Sequence, residues 1–227
     1  MQECPARRKH TVSCTTLYRL SGLTLLLGAV LGTIGNVLTS VLYSGNDPRQ
    51  YLTPLWWIVT LVTLIGELLL VLGLSGIVVR QAQRVGWLGL VGFVLMFIGE
   101  FLFTSYDVTA LLVSPWLAQD APQLLAGNGP PSLFVFFLIA GILFSLGGIL
   151  LGIGTMRARV LPRWAGLLLI IGVLLNVVDA PLSGTPGSVV GIVSFVFFAL
   201  AVGWMGYALW TAKGEALSQP GLSGQAP

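Results

Sequence analysis

Hydrophobic positions along this chain come in long runs separated by short polar links, with neither the two-residue alternation of a half-buried strand nor a sustained polar face. An α-helix rises 1.5 Å per residue, so about 20 apolar residues cross the hydrocarbon core of a bilayer. The runs predict six membrane-spanning helices, at about 17–43, 54–79, 85–105, 132–155, 163–182 and 188–211. Residues 1–16 and 212–227 are left as tails, and the expected fold is an all-α polytopic bundle of three hairpins. The basic run ARRK at 6–9 precedes the first span as it would in a signal peptide. That span is too long for one, and no A-x-A cleavage site follows, so it is read as a retained helix.

Composition agrees. Of 227 residues, 56% are hydrophobic and 8% charged, against roughly 25% charged in an average soluble domain. The charges that remain report topology, because basic flanks stay on the cytoplasmic side. With the N-terminus inside, ten of the eleven Lys and Arg fall in cytoplasmic segments and only Arg49 lies outside. Asp47, Asp107 and Asp120 fall in outer loops, and Asp179 near an outer helix end. Both termini are therefore expected in the cytoplasm. The basic residues come in twos and threes, which gives no nucleic-acid patch and no lipid-headgroup cluster.

The longest link, about 106–131, is expected to lie on the outer interface, with Asp107 capping a short helix through Leu112 and the GNGPP turn closing it. Glycines four apart, Gly28 with Gly32 and Gly148 with Gly152, argue for close helix packing. A faint parallel repeat at an offset of 77 residues aligns Arg80 with Arg157, Trp87 with Trp164 and Gly89 with Gly166.

Two acids stand in oil in the same local frame: LIGELLL at 64–70 holds Glu67, and FIGEFLF at 97–103 holds Glu100. Glu67 is 13 residues from Arg80 and Glu100 is 16 from Arg84, roughly 20 and 24 Å along their helices. The same count places Asn36, Asn176 and Asp179 at nearly that depth, so four helices contribute to one polar layer. No basic residue is expected there. At least one carboxyl is then expected to be protonated, and a close pair to titrate as a unit sharing a proton.

Other chemistry is lacking. The only histidine, His10, sits between Cys4 and Cys14 in the N-terminal tail, too few ligands at too wide a spacing for a metal site. Its position also removes a serine–histidine pair within the membrane and paired-histidine haem ligation, and there is no GxxxxGK[ST] nucleotide loop. No cofactor is called for, and an enzyme is disfavoured.

The run RARVLPRWAGLLLIIGVLL at 157–175, with LYRLSGLTLLLGAVLG at 17–32, resembles segments of uncharacterised bacterial multi-spanning membrane proteins of the domain-of-unknown-function kind. In these a basic inner loop with an LPRW-x-G motif opens an apolar helix. The resemblance implies a bacterial cytoplasmic membrane and brings no substrate. Two readings stay open. One is proton- or cation-coupled transport or permeation of a small ion or molecule through the Glu67/Glu100 layer. The other is a structural or sensory membrane protein in which that layer only fixes helix packing.

Overall fold

The computed structural model describes residues 14–43, 47–81, 84–125, 131–179 and 184–211. Apart from the start of α1, the two tails lie outside the described residues, and with them Cys4, His10 and Lys213. Six α-helices account for nearly all of the rest: α1 Cys14–Leu42, α2 Pro54–Gln81, α3 Gly86–Asp120, α4 Pro131–Ala158, α5 Arg163–Asp179 and α6 Gly184–Trp210. Five helices, all but α5, are long and apolar enough to cross a membrane; α5 has 17 residues. Short 3-10 turns at Pro48–Leu52 and Pro122–Leu124 precede α2 and follow α3.

One boundary departs from expectation. The segment 106–120 is not an interfacial link: α3 continues through it for 35 residues, with Pro115 inside the helix. Asp107 therefore caps nothing and is a mid-helix residue. The whole helix is about 52 Å long, more than a hydrocarbon core needs. Exposed Trp87 and Trp116 stand 29 positions apart on it, roughly 44 Å, which matches a bilayer with its headgroup layers.

Each helix packs against its sequence neighbours, and α6 closes on α1, so the six form a ring. The ring's outer surface is aliphatic, including Leu23, Val30, Ile58, Leu72, Leu138 and Leu146. That is the surface a helix shows to lipid and not to water. One end of the ring carries Arg19, Arg80, Arg84, Arg157, Arg159 and Arg163, at the start of α1, the end of α2 and the turns flanking α3, α4 and α5. It is called the basic end below, and the opposite one the Trp56 end.

Glycine sets the distance between neighbours. A Cβ on Gly22 would stand 2.6 Å from the carbonyl oxygen of Gly206, joining α1 to α6. On Gly28 it would be 2.8 Å from that of Gly66, joining α1 to α2. Gly99 lies against the backbone of Phe144 between α3 and α4, Gly152 against Gly166 between α4 and α5, and Gly172 against Phe198 between α5 and α6. The α2–α3 seam is the exception. The nearest neighbours of the α2 glycines lie on α1 and α6, and those of the described α3 glycines on α4 or on Val85. These two helices also make the sparsest contact of the ring.

The basic half of the ring is solid. Leu25, Leu74, Ile77, Leu151, Leu169, Met205 and Leu209 are fully buried in one apolar cluster. Two links cross the ring here: Leu209 of α6 reaches Gly76 of α2, and Gln81 of α2 pairs with Thr155 of α4. The faint repeat has a counterpart in the helix ends. Gln81 and Gly86, which close α2 and open α3, map 77 residues on to Ala158 and Arg163, which close α4 and open α5.

The packing account makes a prediction. In Gly66→Leu the new side chain meets the α1 backbone at Gly32, and stability in detergent should fall by about 1–3 kcal/mol. Gly141→Ala, where a Cβ meets nothing within 4 Å, should be neutral. Thermal unfolding of the two variants compares them, and equal effects would refute glycine-set spacing.

Candidate functional site

Above the apolar cluster, in the half of the ring toward Trp56, the helices part around a cavity of about 280 Å³ to which all six contribute. Its floor is Ala29, Leu70, Phe144 and Phe198; toward the Trp56 end it reaches Thr39, Tyr106 and Phe137. Glu67, Glu100, Asn36 and Asn176 all line it. Asp179 ends α5, and its side chain lies outside the described residues.

The acids reach the cavity through the residue before each of them. Successive helix positions are about 100° apart around the axis. Gly66 faces α1, where the backbones meet, and Glu67 is thereby turned inward; Gly99 faces α4, and Glu100 is turned inward in the same way. Both carboxylates are buried, at 8% and 5% exposure.

Asp107 completes the cluster. It lies seven residues beyond Glu100, two turns on along the same face, and lines the same cavity. Glu100, Asp107 and Asn36 are the polar neighbours of the Glu67 carboxyl. Helix geometry explains how Asp107 joins Glu100 beside Glu67. Side chains lean toward the N-terminus of their own helix. On α2 that direction is the Trp56 end, whereas on α1 and α3 it is the basic end, so Asn36 and Asp107 lean down as Glu67 leans up. Glu100 leans away.

Among the described residues no lysine, arginine or histidine lines the cavity. Neither Oε2 of Glu67 nor Oδ2 of Asp107, both buried, has a hydrogen-bond partner. The Nδ2 of Asn36 donates to the carbonyl of Gly32, 3.0 Å away on its own helix. Three carboxyls in a space of low polarity, without a counter-charge from the described residues, favour a proton or a bound cation among them. Among the described residues no three of histidine, cysteine, aspartate and glutamate converge closely enough to hold a metal ion.

Beside the acids runs an aromatic wall, from Phe103 and Tyr106 on α3 to Phe137 and Phe144 on α4 and Phe198 on α6. Phe103 packs edge-on to Phe144 at 5.8 Å between ring centroids and tilted to Phe137 at 6.3 Å; Tyr106 meets Phe137 at 4.6 Å, and Phe144 meets Phe198 at 5.4 Å. Sequence reasoning missed this wall and Asp107. The available signal for Asp107 was its seven-residue spacing from Glu100, which keeps two residues on one helix face only if the helix continues.

If the cavity is wet and sealed on the basic side, thiol chemistry should read it. With Cys4 and Cys14 replaced by serine, Thr33→Cys and Thr39→Cys should react with a water-soluble thiol reagent applied from the Trp56 side, and Leu74→Cys and Met205→Cys should not. Reaction at Leu74 as fast as at Thr33 would remove the seal. Neither a protein-family model, nor a curated protein, nor a solved structure matches this chain.

Proposed function

We propose that this is a small transport or permeation protein in which Glu67 and Glu100, with Asp107, exchange protons or hold a cation, assisted by Asn36 and Asn176. In this reading all six helices span a bacterial cytoplasmic membrane with both tails inside, the basic end faces the cytoplasm, and the cavity faces out. With 17 residues, α5 is at the short end of the spanning range, which local thinning of the bilayer accommodates.

One observation carries the reading against a purely structural role: Glu67 presents a buried carboxylate oxygen with no partner to a cavity. Two polar contacts that join helices elsewhere in this molecule are paired. Thr155 Oγ1 donates to Gln81 Oε1 at 3.3 Å and accepts from Gln81 Nε2 at 3.2 Å, and Ser194 Oγ donates to the Gly172 carbonyl at 2.9 Å. Interhelical bonds of that kind contribute about 0.6 kcal/mol on average. An ionisable group at mid-membrane costs about 2.5 kcal/mol or more. A carboxyl with one buried oxygen left unpaired is therefore a costlier way to fix a helix than such amide and hydroxyl pairs.

Two measurements test this. In vesicles holding a trapped pH indicator, an imposed pH or cation gradient should drive flux that falls at least about tenfold in Glu67→Gln, while thermal stability stays equal or rises because a costly ionisable group is gone. If the double variant Glu67→Gln with Glu100→Gln conducts as the wild type does, coupling through these acids is eliminated. For topology, single cysteines at 82 and 160 should be labelled only from the cytoplasmic side and one at 128 only from outside. Labelling of 128 from inside would overturn the six-span arrangement.

A further inference from the structure

The cavity is too large for one bare ion and too apolar to be a water path alone. About 280 Å³ is just under the range of small-molecule pockets, whereas a hard inorganic cation takes six or more oxygen ligands close around it. Such a cage is not offered here. The helices that line the cavity are continuous at this depth, so their carbonyls are engaged in helical hydrogen bonds, and the acids are spread along its wall. What the walls do offer is of two kinds. On α2 and α3 stand the carboxyls of Glu67, Glu100 and Asp107, with an unpartnered, buried Glu67 oxygen. Between Glu100 and Asp107 on α3 stands the ring of Phe103, in contact with the rings of Phe137 and Phe144 on α4. Carboxylates attract a positive charge, and ring faces attract a cation that is weakly hydrated and carries apolar substituents.

We propose that the cavity binds a small organic ammonium cation, its charge held among Glu67, Glu100 and Asp107 and its apolar part against the Phe103–Phe137–Phe144 wall. This rests on the cation-coupled reading above and gives it a substrate class. Binding of the cation displaces the protons that otherwise neutralise the acids, so cation and proton compete for one site.

The test uses the full chain in phosphatidylcholine nanodiscs and benzyltrimethylammonium, which keeps its charge at every pH, so that any pH dependence belongs to the protein. Equilibrium dialysis should show saturable binding that strengthens from acidic to alkaline pH. Sodium and neopentylbenzene, the uncharged carbon isostere, should not displace it. Phe103→Leu should weaken binding roughly two- to thirtyfold, the range of a desolvated cation–ring contact, and Glu67→Gln by at least about tenfold. Displacement by sodium, or equal affinity for the isostere, overturns the proposal with the wild-type protein alone, whatever the folding of the variants. Absence of binding in a preparation whose Glu67-dependent proton flux is intact would discard the organic cation and keep the coupling. Absence of both would discard the two together.

Discussion

In a bilayer the lipid tails solvate leucine as well as another helix does, so helices are held by the close van der Waals contact that small residues allow. Five seams of this ring are built that way, with glycine laid against a neighbouring backbone. The sixth, between α2 and α3, lacks such contact and is the most open. It is also where the carboxyls of Glu67, Glu100 and Asp107 gather. The cavity is thus a consequence of how glycine is distributed: helices drawn together elsewhere leave space where none draws them.

The paired Gly–Glu steps give this arrangement its economy. In LIGELLL and FIGEFLF the glycine binds its helix to an outer neighbour, α1 or α4, and the next residue is rotated inward by about 100°. One dipeptide fixes both the position of the helix and the aim of the acid. A change at Gly66 or Gly99 would therefore move a carboxyl as well as loosen a seam.

The same physics explains what was legible in the sequence. Apolar run length and a fixed rise per residue located the six helices and put Glu67, Glu100, Asn36 and Asn176 at one depth, and all four line the cavity. Depth counting uses Cα positions and ignores the lean of side chains toward each helix's N-terminus. It therefore paired Glu67 with Glu100 alone, whereas Asp107 joins Glu100 as an electrostatic neighbour of Glu67. Asp107 itself was hidden by the assumption that a span stops after about 21 residues, because nothing in FTSYDVTALLVSPW before Pro115 breaks a helix, and Pro115 does not end it either. The aromatic wall could not be read at all. Phe134, exposed to the lipid side, and Phe137 and Phe144, on the cavity, are the same residue type in the same apolar run, and the all-round hydrophobicity of a membrane helix erases the periodicity that separates them.

Position along the ring then constrains how a site of this kind can work. The basic half is closed by fully buried Leu74, Ile77, Leu151 and Leu209 and by the Gln81–Thr155 pair, so passage toward that end requires helices to move. Seams with backbone contact at glycine lose that contact with any displacement, since dispersion attraction falls away within an ångström. The α2–α3 seam has less to lose. Its helices are joined at the basic end through the turn at Gly86, whose φ of 62° suits glycine, and each is bound tightly to a different partner, α1 or α4. Under the proposed function, motion would therefore concentrate at α2 against α3, the sparsest seam of the ring and the one that holds Glu67, Glu100 and Asp107. Repulsion among uncompensated carboxylates pushes that seam apart, and a proton or a cation between them draws it together.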